Sequence, residues 1–99
     1  MRIASITMIG QFPHGINLHV RNLRWALTDE DHIFIITLPQ FIKEFNLIND
    51  KTITYIPFEA CANTGFITFW REFPKIVKEY NINPEWFMFM EQDIWNWRF

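Results

Sequence analysis

Four short apolar runs, each apolar on both faces of an extended chain, constrain the fold of this sequence more than any other feature. They are residues 2–10, 32–37, 52–58 and 86–90. Strands that are buried on both sides are typical of a parallel sheet with helices covering both faces. The segments between the four runs are therefore expected to supply those helices.

The connecting segments do carry helical patterns. Helical spacing at i, i+4, i+7 and i+11 is found at Ile16, Val20, Leu23 and Leu27. A short second helix is predicted from Pro39 to about Leu47, because proline is tolerated in a first helical turn. A third helix is predicted over residues 66–80, and Pro74 within it predicts either a kink or a division into two helices.

This alternation of strands and helices predicts a Rossmann-like α/β fold. We expect a three-layer sandwich with a mostly parallel sheet of about four strands in the order 3-2-1-4 and helices on both faces. The crossovers between the strands are expected to be right-handed. A chain of 99 residues suffices for one domain, so residues 1–99 are expected to form a single domain of this kind.

Charge and cysteine content exclude some classes of protein. The net charge is −2 and the basic residues form no run, which argues against a nucleic-acid partner. Cys61 is the only cysteine, so no internal disulfide is possible and a reducing compartment is favoured. The first apolar run is too short for a signal peptide or a membrane span. We therefore expect a cytoplasmic protein without a membrane span.

The predicted ligand site lies where the order of the strands reverses. Doubly wound sheets bind ligands beyond the carboxyl ends of their strands at this point, here between the first and fourth strands. The loop after the first strand contains Gln11, His14 and Gly15 and leads into a helix, whose N-terminus favours an anion such as a diphosphate. The loop lacks the G-x-G-x-x-G spacing of a dinucleotide site.

Two carboxylates follow the fourth strand at the same predicted edge. Glu91 and Asp93 are two residues apart, so in an extended chain they face one side while Gln92 faces the other. Paired hard oxygen ligands beside a diphosphate suit Mg²⁺ or Mn²⁺. The alternative is an acidic pair that simply ends a strand at the surface.

The strand and helix order that leads into residues 87–93 resembles the N-terminal half of a GT-A type glycosyltransferase. The resemblance implies that Asp93 binds the divalent metal of a nucleotide diphosphate sugar and that Glu91 lies beside the ribose or the metal. It places the loop of residues 11–15 near the base and diphosphate. Thr37 takes the position at which many members present an acidic residue to the base.

The same resemblance implies that residues 1–99 form a single nucleotide-sugar-binding α/β domain. It also implies that this domain is a truncated half of a larger catalytic domain, with the acceptor site in the half that follows. The first acid of the pair is Glu91, where the family's Asp-x-Asp-like motif has an aspartate.

Two alternatives remain open. Residues 1–37, with the loop at His14 and a second strand ending at Thr37, are also similar to the start of a GT-B glycosyltransferase. In that arrangement Glu91 and Asp93 would hold no metal. The chain is otherwise a non-catalytic Rossmann-like binding or interaction module. The aromatic tail that contains Trp95 and Trp97 motivates this last hypothesis, because a protein partner or a missing C-terminal half would cover it.

Overall fold

The computed structural model of the chain describes residues 1–59 and 65–91. Gly65, Phe66 and Glu91 are described by their backbone alone. Several residues singled out in the sequence lie outside the described residues: Cys61, Gln92, Asp93, Trp95 and Trp97.

Four strands alternate with three α-helices along the described chain. In order they are β1 (Ile3–Ile9), α1 (Ile16–Ala26), β2 (His32–Thr37), α2 (Pro39–Glu44), β3 (Ile53–Pro57), α3 (Gly65–Glu79) and β4 (Trp86–Glu91). A short 3-10 turn at Pro13–Gly15 precedes α1. The strands form one sheet in the order β3-β2-β1-β4, and every neighbouring pair is parallel. The predicted fold class and strand order are confirmed.

Each face of the sheet carries its own hydrophobic core, because successive residues of a strand point to opposite faces. On one face, α1 and α2 cover a core that contains Ile9, Ile16, Val20, Leu23, Ile33, Ile35 and Ile53. On the other face, α3 covers a core that contains Ala4, Ile6, Phe34, Ile36, Ile56, Phe69 and Ile76. The three-layer arrangement follows from these two cores.

The second helix is shorter than its sequence predicts. It ends at Glu44 rather than near Leu47, and Phe45 already has an extended backbone (φ −109°, ψ 142°). The chain beyond it is bound to α1 by the amide group of Asn17. That group donates to the Asn46 carbonyl at 3.0 Å and accepts from the Ile48 N–H at 2.8 Å. These two hydrogen bonds outweigh the local preference for further helix.

The third helix runs without division through Pro74. The alternative of two separate helices was wrong, because a proline removes a single helical hydrogen bond, whereas Phe69 and Ile76 bury one apolar stripe on both sides of it. The helix ends at Glu79, and Asn81, two residues beyond it, has a positive φ of 53°. The Ile82 N–H bonds back to the Val77 carbonyl at 2.9 Å, as in helix ends closed by a left-handed residue.

None of the described helices combines the length and apolar character needed to cross a membrane.

Candidate functional site

The predicted site lies at the carboxyl edge of the sheet, between β1 and β4. These two strands are parallel neighbours, and the register pairs Met8 with Glu91. Since β1 ends at Ile9, the loop that begins at Gly10 leaves the sheet beside Glu91, the last residue of β4. The strand order also reverses here. The structure therefore brings the predicted loop and Glu91 to one edge.

The loop after β1 turns sharply before it enters α1. Phe12 has a left-handed backbone (φ 54°, ψ 58°), which is unfavourable for a residue with a Cβ, and its side chain is 73% exposed. The Gly15 N–H donates to the Phe12 carbonyl at 3.0 Å, and the Ile16 N–H donates to the Pro13 carbonyl. These bonds direct the chain from the sheet edge into α1.

The N-terminus of α1 presents the positive end of its dipole to this edge. No side chain caps the helix, and no acidic residue lies in its first turn. An anion placed here would meet favourable electrostatics from the helix. The helix start at Ile16 itself is buried and fixes the position of this terminus.

Gln11 and His14 are exposed in the same loop, and Gly15 is half-buried at its end. The ring of His14 lies edge-on to the ring of Phe45, with 5.0 Å between the ring centroids. This contact connects the loop to the end of α2. The amide of Gln11 and the imidazole of His14 are both accessible to a ligand.

Thr37 lies at the same edge but beneath the surface, and its side chain is buried. Its hydroxyl donates to the Ile9 carbonyl at 2.6 Å, and its own carbonyl accepts from the Phe58 N–H at 2.8 Å. One residue thus joins the ends of β1, β2 and the segment after β3. The hydroxyl is used within the protein, and a direct contact of Thr37 with a base stays a prediction.

The carboxylate pair that is predicted to bind a metal is only partly described. Glu91 closes β4 at the expected edge, whereas Asp93 lies outside the described residues. Within residues 1–59 and 65–91, no group of three or more histidine, cysteine or acidic side chains is arranged to hold a metal ion. The prediction of Mg²⁺ or Mn²⁺ therefore depends on the segment from Glu91 onward.

A cavity that the sequence did not predict opens at the opposite, amino edge of the sheet. Its volume is about 750 Å³, and its lining includes Arg2, Asp29, Asp31, His32, Lys51 and Glu85. A smaller cavity of about 230 Å³ adjoins it, where Arg24 contacts Asp50 at 2.6 Å. Acidic and basic groups are mixed along this edge.

Asp31 is a buried acidic group at the amino edge. It accepts from the Ile3 N–H at 3.1 Å, and from both the N–H and the hydroxyl of Thr28 at 2.8 and 3.1 Å. Burial alone would raise the pKa of Asp31, but these hydrogen bonds outweigh burial and hold its pKa below the ordinary value. Since both carboxylate oxygens are occupied, the residue joins β1 to the turn before β2.

An exposed aromatic surface lies along β4, the edge strand of the sheet. Phe87 and Phe89 are stacked with 5.8 Å between their centroids, and Trp70 of α3 lies 4.9 Å from Phe89. Trp86, at the start of the strand, is 71% exposed. Exposed aromatic side chains in such a group are typical of surfaces that meet other protein.

No protein-family model, curated protein or solved structure matches the chain. A function can therefore be argued only from the chemistry of the site. Folds of this class host many unrelated functions, so the architecture alone assigns none of them.

Proposed function

We propose that the chain binds a nucleotide diphosphate sugar at the carboxyl edge between β1 and β4. In this proposal it is the nucleotide-binding part of a GT-A-like glycosyltransferase that uses Mg²⁺ or Mn²⁺. The observation that supports it most is the parallel pairing of β1 with β4, which places the loop of residues 11–15 and Glu91 at one edge. Ligands of doubly wound sheets bind at this reversal of strand order.

The diphosphate would lie against the loop and the start of α1. The uncapped helix terminus offers a positive potential, and the exposed side chains of Gln11 and His14 offer hydrogen-bond donors. Gly15 leaves room for close approach of the ligand to the backbone, because it has no side chain. No acidic residue of the first helical turn opposes the negative charge.

The metal would be held by Asp93 together with Glu91. When bound, such an ion offsets the charge that develops on the leaving diphosphate during glycosyl transfer. The role of the chain's own residues is then to hold the diphosphate in place and to present the sugar at the sheet edge. Asp93 is the decisive residue, because the family motif requires an acid at that position.

Calorimetric titration of the chain with a UDP-sugar, in Mn²⁺ and in EDTA, tests the proposal. We expect affinity that depends on the metal and that is lost in Asp93→Ala. Asp29→Ala is the matched control, because Asp29 is an exposed acid at the opposite edge of the sheet. Equal affinity with and without metal, together with full binding by Asp93→Ala, would contradict the proposal.

The same titration separates the GT-A arrangement from the GT-B arrangement. Binding that ignores the metal and Asp93 but is lost in His14→Ala would favour the GT-B arrangement, in which the loop alone faces the donor. Binding that needs both the metal and the loop supports the GT-A arrangement. A panel of nucleotide diphosphates without the sugar would then identify the base.

The exposed aromatic surface along β4 favours a second candidate, a non-catalytic interaction module. Trp86, Phe87 and Phe89 are exposed along the edge strand, and this supports docking on another protein. Size-exclusion chromatography with light scattering distinguishes the two candidates. A monomer that melts at a higher temperature with nucleotide argues against the interaction module, whereas association without any nucleotide effect argues for it.

A further inference from the structure

We propose that Thr37 is the positioning residue for the loop after β1. Its buried hydroxyl fixes the conformation of that loop through a hydrogen bond to Ile9, the last residue of β1. The inference rests on the proposed function in one respect, because this loop is the segment that would bind the diphosphate. The effect of Thr37 on the conformation of the loop does not depend on nucleotide binding.

The geometry places Thr37 at the junction of three strand ends. Ile9, the last residue of β1, is the register partner of Thr37, the last residue of β2. The Thr37 hydroxyl donates to the Ile9 carbonyl at 2.6 Å, while the Thr37 carbonyl accepts from the Phe58 N–H at 2.8 Å. The hydroxyl therefore adds a side-chain hydrogen bond between β1 and β2 at the point where their backbone pairing ends.

The loop beyond Ile9 contains a residue whose backbone conformation is unfavourable by itself. Phe12 adopts a left-handed backbone, a conformation that persists only when the surrounding structure holds it. The turn bonds of Gly15 and Ile16 reach back only to Phe12 and Pro13, so they do not connect the loop to the sheet. The hydrogen bond from Thr37 acts on Ile9, immediately before the loop begins.

A second buried threonine provides a matched comparison on the same face of the sheet. Thr7 of β1 is also fully buried, but its hydroxyl meets Nε2 of His19 at 2.8 Å rather than a strand end. Loss of either hydroxyl removes one buried hydrogen bond. Only the loss at Thr37 is expected to change the loop specifically.

Amide hydrogen exchange of Thr37→Val, Thr37→Ser and Thr7→Val tests the inference. The amides of Gly15 and Ile16 report on the loop, and the Ile33 amide, bonded to the Thr52 carbonyl at 2.8 Å, reports on the opposite edge. We expect Thr37→Val to raise the loop exchange rates about three- to tenfold relative to Ile33, as loss of one buried hydrogen bond implies. Thr37→Ser restores the ratio, and Thr7→Val leaves it unchanged.

Nucleotide affinity provides the functional measurement. Thr37→Val is expected to weaken UDP-sugar binding by about three- to tenfold, whereas Thr37→Ser keeps the wild-type affinity. If the wild type binds no nucleotide, the proposed function fails, yet the exchange ratio still decides whether Thr37 fixes the loop. Unchanged loop exchange in Thr37→Val would overturn the inference even if nucleotide binds.

A measurement on the wild type keeps the inference testable if Thr37→Val does not fold. A buried hydroxyl proton held in a short hydrogen bond exchanges slowly with water, so NMR is expected to detect the hydroxyl proton of Thr37. Fast exchange of that proton would show that the hydroxyl does not hold the Ile9 carbonyl, and would overturn the inference.

Discussion

Thr7 and His19 share a buried hydrogen bond, with 2.8 Å between Oγ1 of the threonine and Nε2 of the histidine. Both side chains are buried, so the pair joins β1 to α1 within the layer that supports the candidate site. Burial lowers the pKa of His19 to about 4. The imidazole is therefore neutral near pH 7, and an uncharged ring makes this hydrogen bond between β1 and α1.

The first prediction is that stability falls as the pH is lowered from about 6.5 toward 4. The pKa of His19 is about 4 in the folded chain and near 6.5 when unfolded, so the unfolded chain binds more protons in this window. The full difference amounts to roughly 3 kcal/mol of unfolding free energy. Urea denaturation at a series of pH values between 7 and 4.5 measures it.

His19→Gln removes the titrating ring and is expected to flatten this pH dependence. His14→Gln is the control, because His14 is exposed and its replacement leaves the buried ring in place. Burial also lowers the pKa of His32, so His32 likewise destabilises the folded chain as the pH falls. Both variants retain this contribution. An equally steep dependence in His19→Gln and wild type would contradict this account of the pair.

The sequence predicted the order of the elements because hydrophobic periodicity is a local signal. Four runs apolar on both faces required a parallel sheet, and the order 3-2-1-4 then placed the loop at Gly15 beside Glu91. The polar contacts were not predictable in this way. Thr7 and His19 are 12 residues apart and meet only because α1 packs on β1. Thr37 and Ile9 are 28 residues apart and meet only through the register of β1 with β2.

Helix boundaries show the same limit of local reasoning. Pro74 disfavours helix by its local chemistry, yet α3 continues through it because Phe69 and Ile76 are buried on both sides. Leu47 was predicted as helical, but the Asn17 side chain binds the adjoining backbone at Asn46. In both cases a tertiary contact outweighs a local preference.

The second prediction concerns Asp31. Asp31→Asn is expected to lower the unfolding free energy by about 1–3 kcal/mol, because its amide group cannot accept from both the Ile3 and Thr28 N–H groups. The measurement is urea denaturation at pH 7, with Asp29→Asn as the exposed control. Since the folded pKa of Asp31 is lowered, its contribution is present above the unfolded value near 3.8 and is lost as the pH falls below it. A loss at pH 7 equal to that of the control would refute this role.

The third prediction concerns the backbone of Phe12. Phe12→Asn is expected to raise the unfolding free energy by about 0.5–1 kcal/mol, because asparagine tolerates a left-handed backbone better than phenylalanine. Asn81, which has a φ of 53° at the end of α3, shows this preference in the same chain. Phe12→Leu is the control, because leucine keeps the penalty. Thermal denaturation followed by circular dichroism compares the three chains, and a stabilisation of Phe12→Leu equal to that of Phe12→Asn would exclude backbone strain as the cause.

The fourth prediction concerns the contact between α3 and β4. Phe73 lies with its ring centroid 5.6 Å from that of Phe87 and 5.5 Å from that of Phe89, so it holds the edge strand against the helix. Phe73→Ala is expected to lower the unfolding free energy by about 2 kcal/mol, less than for a fully buried ring because Phe73 is half-buried. Ile67→Ala, at a side chain of α3 that is 75% exposed, is the control and is expected to change it by less than about 0.5 kcal/mol. Urea denaturation measures the unfolding free energy of both variants. Because β4 carries Glu91, Phe73→Ala is also expected to bind nucleotide more weakly than the wild type. A destabilisation of Phe73→Ala no larger than that of Ile67→Ala would show that the edge strand is held by the sheet alone.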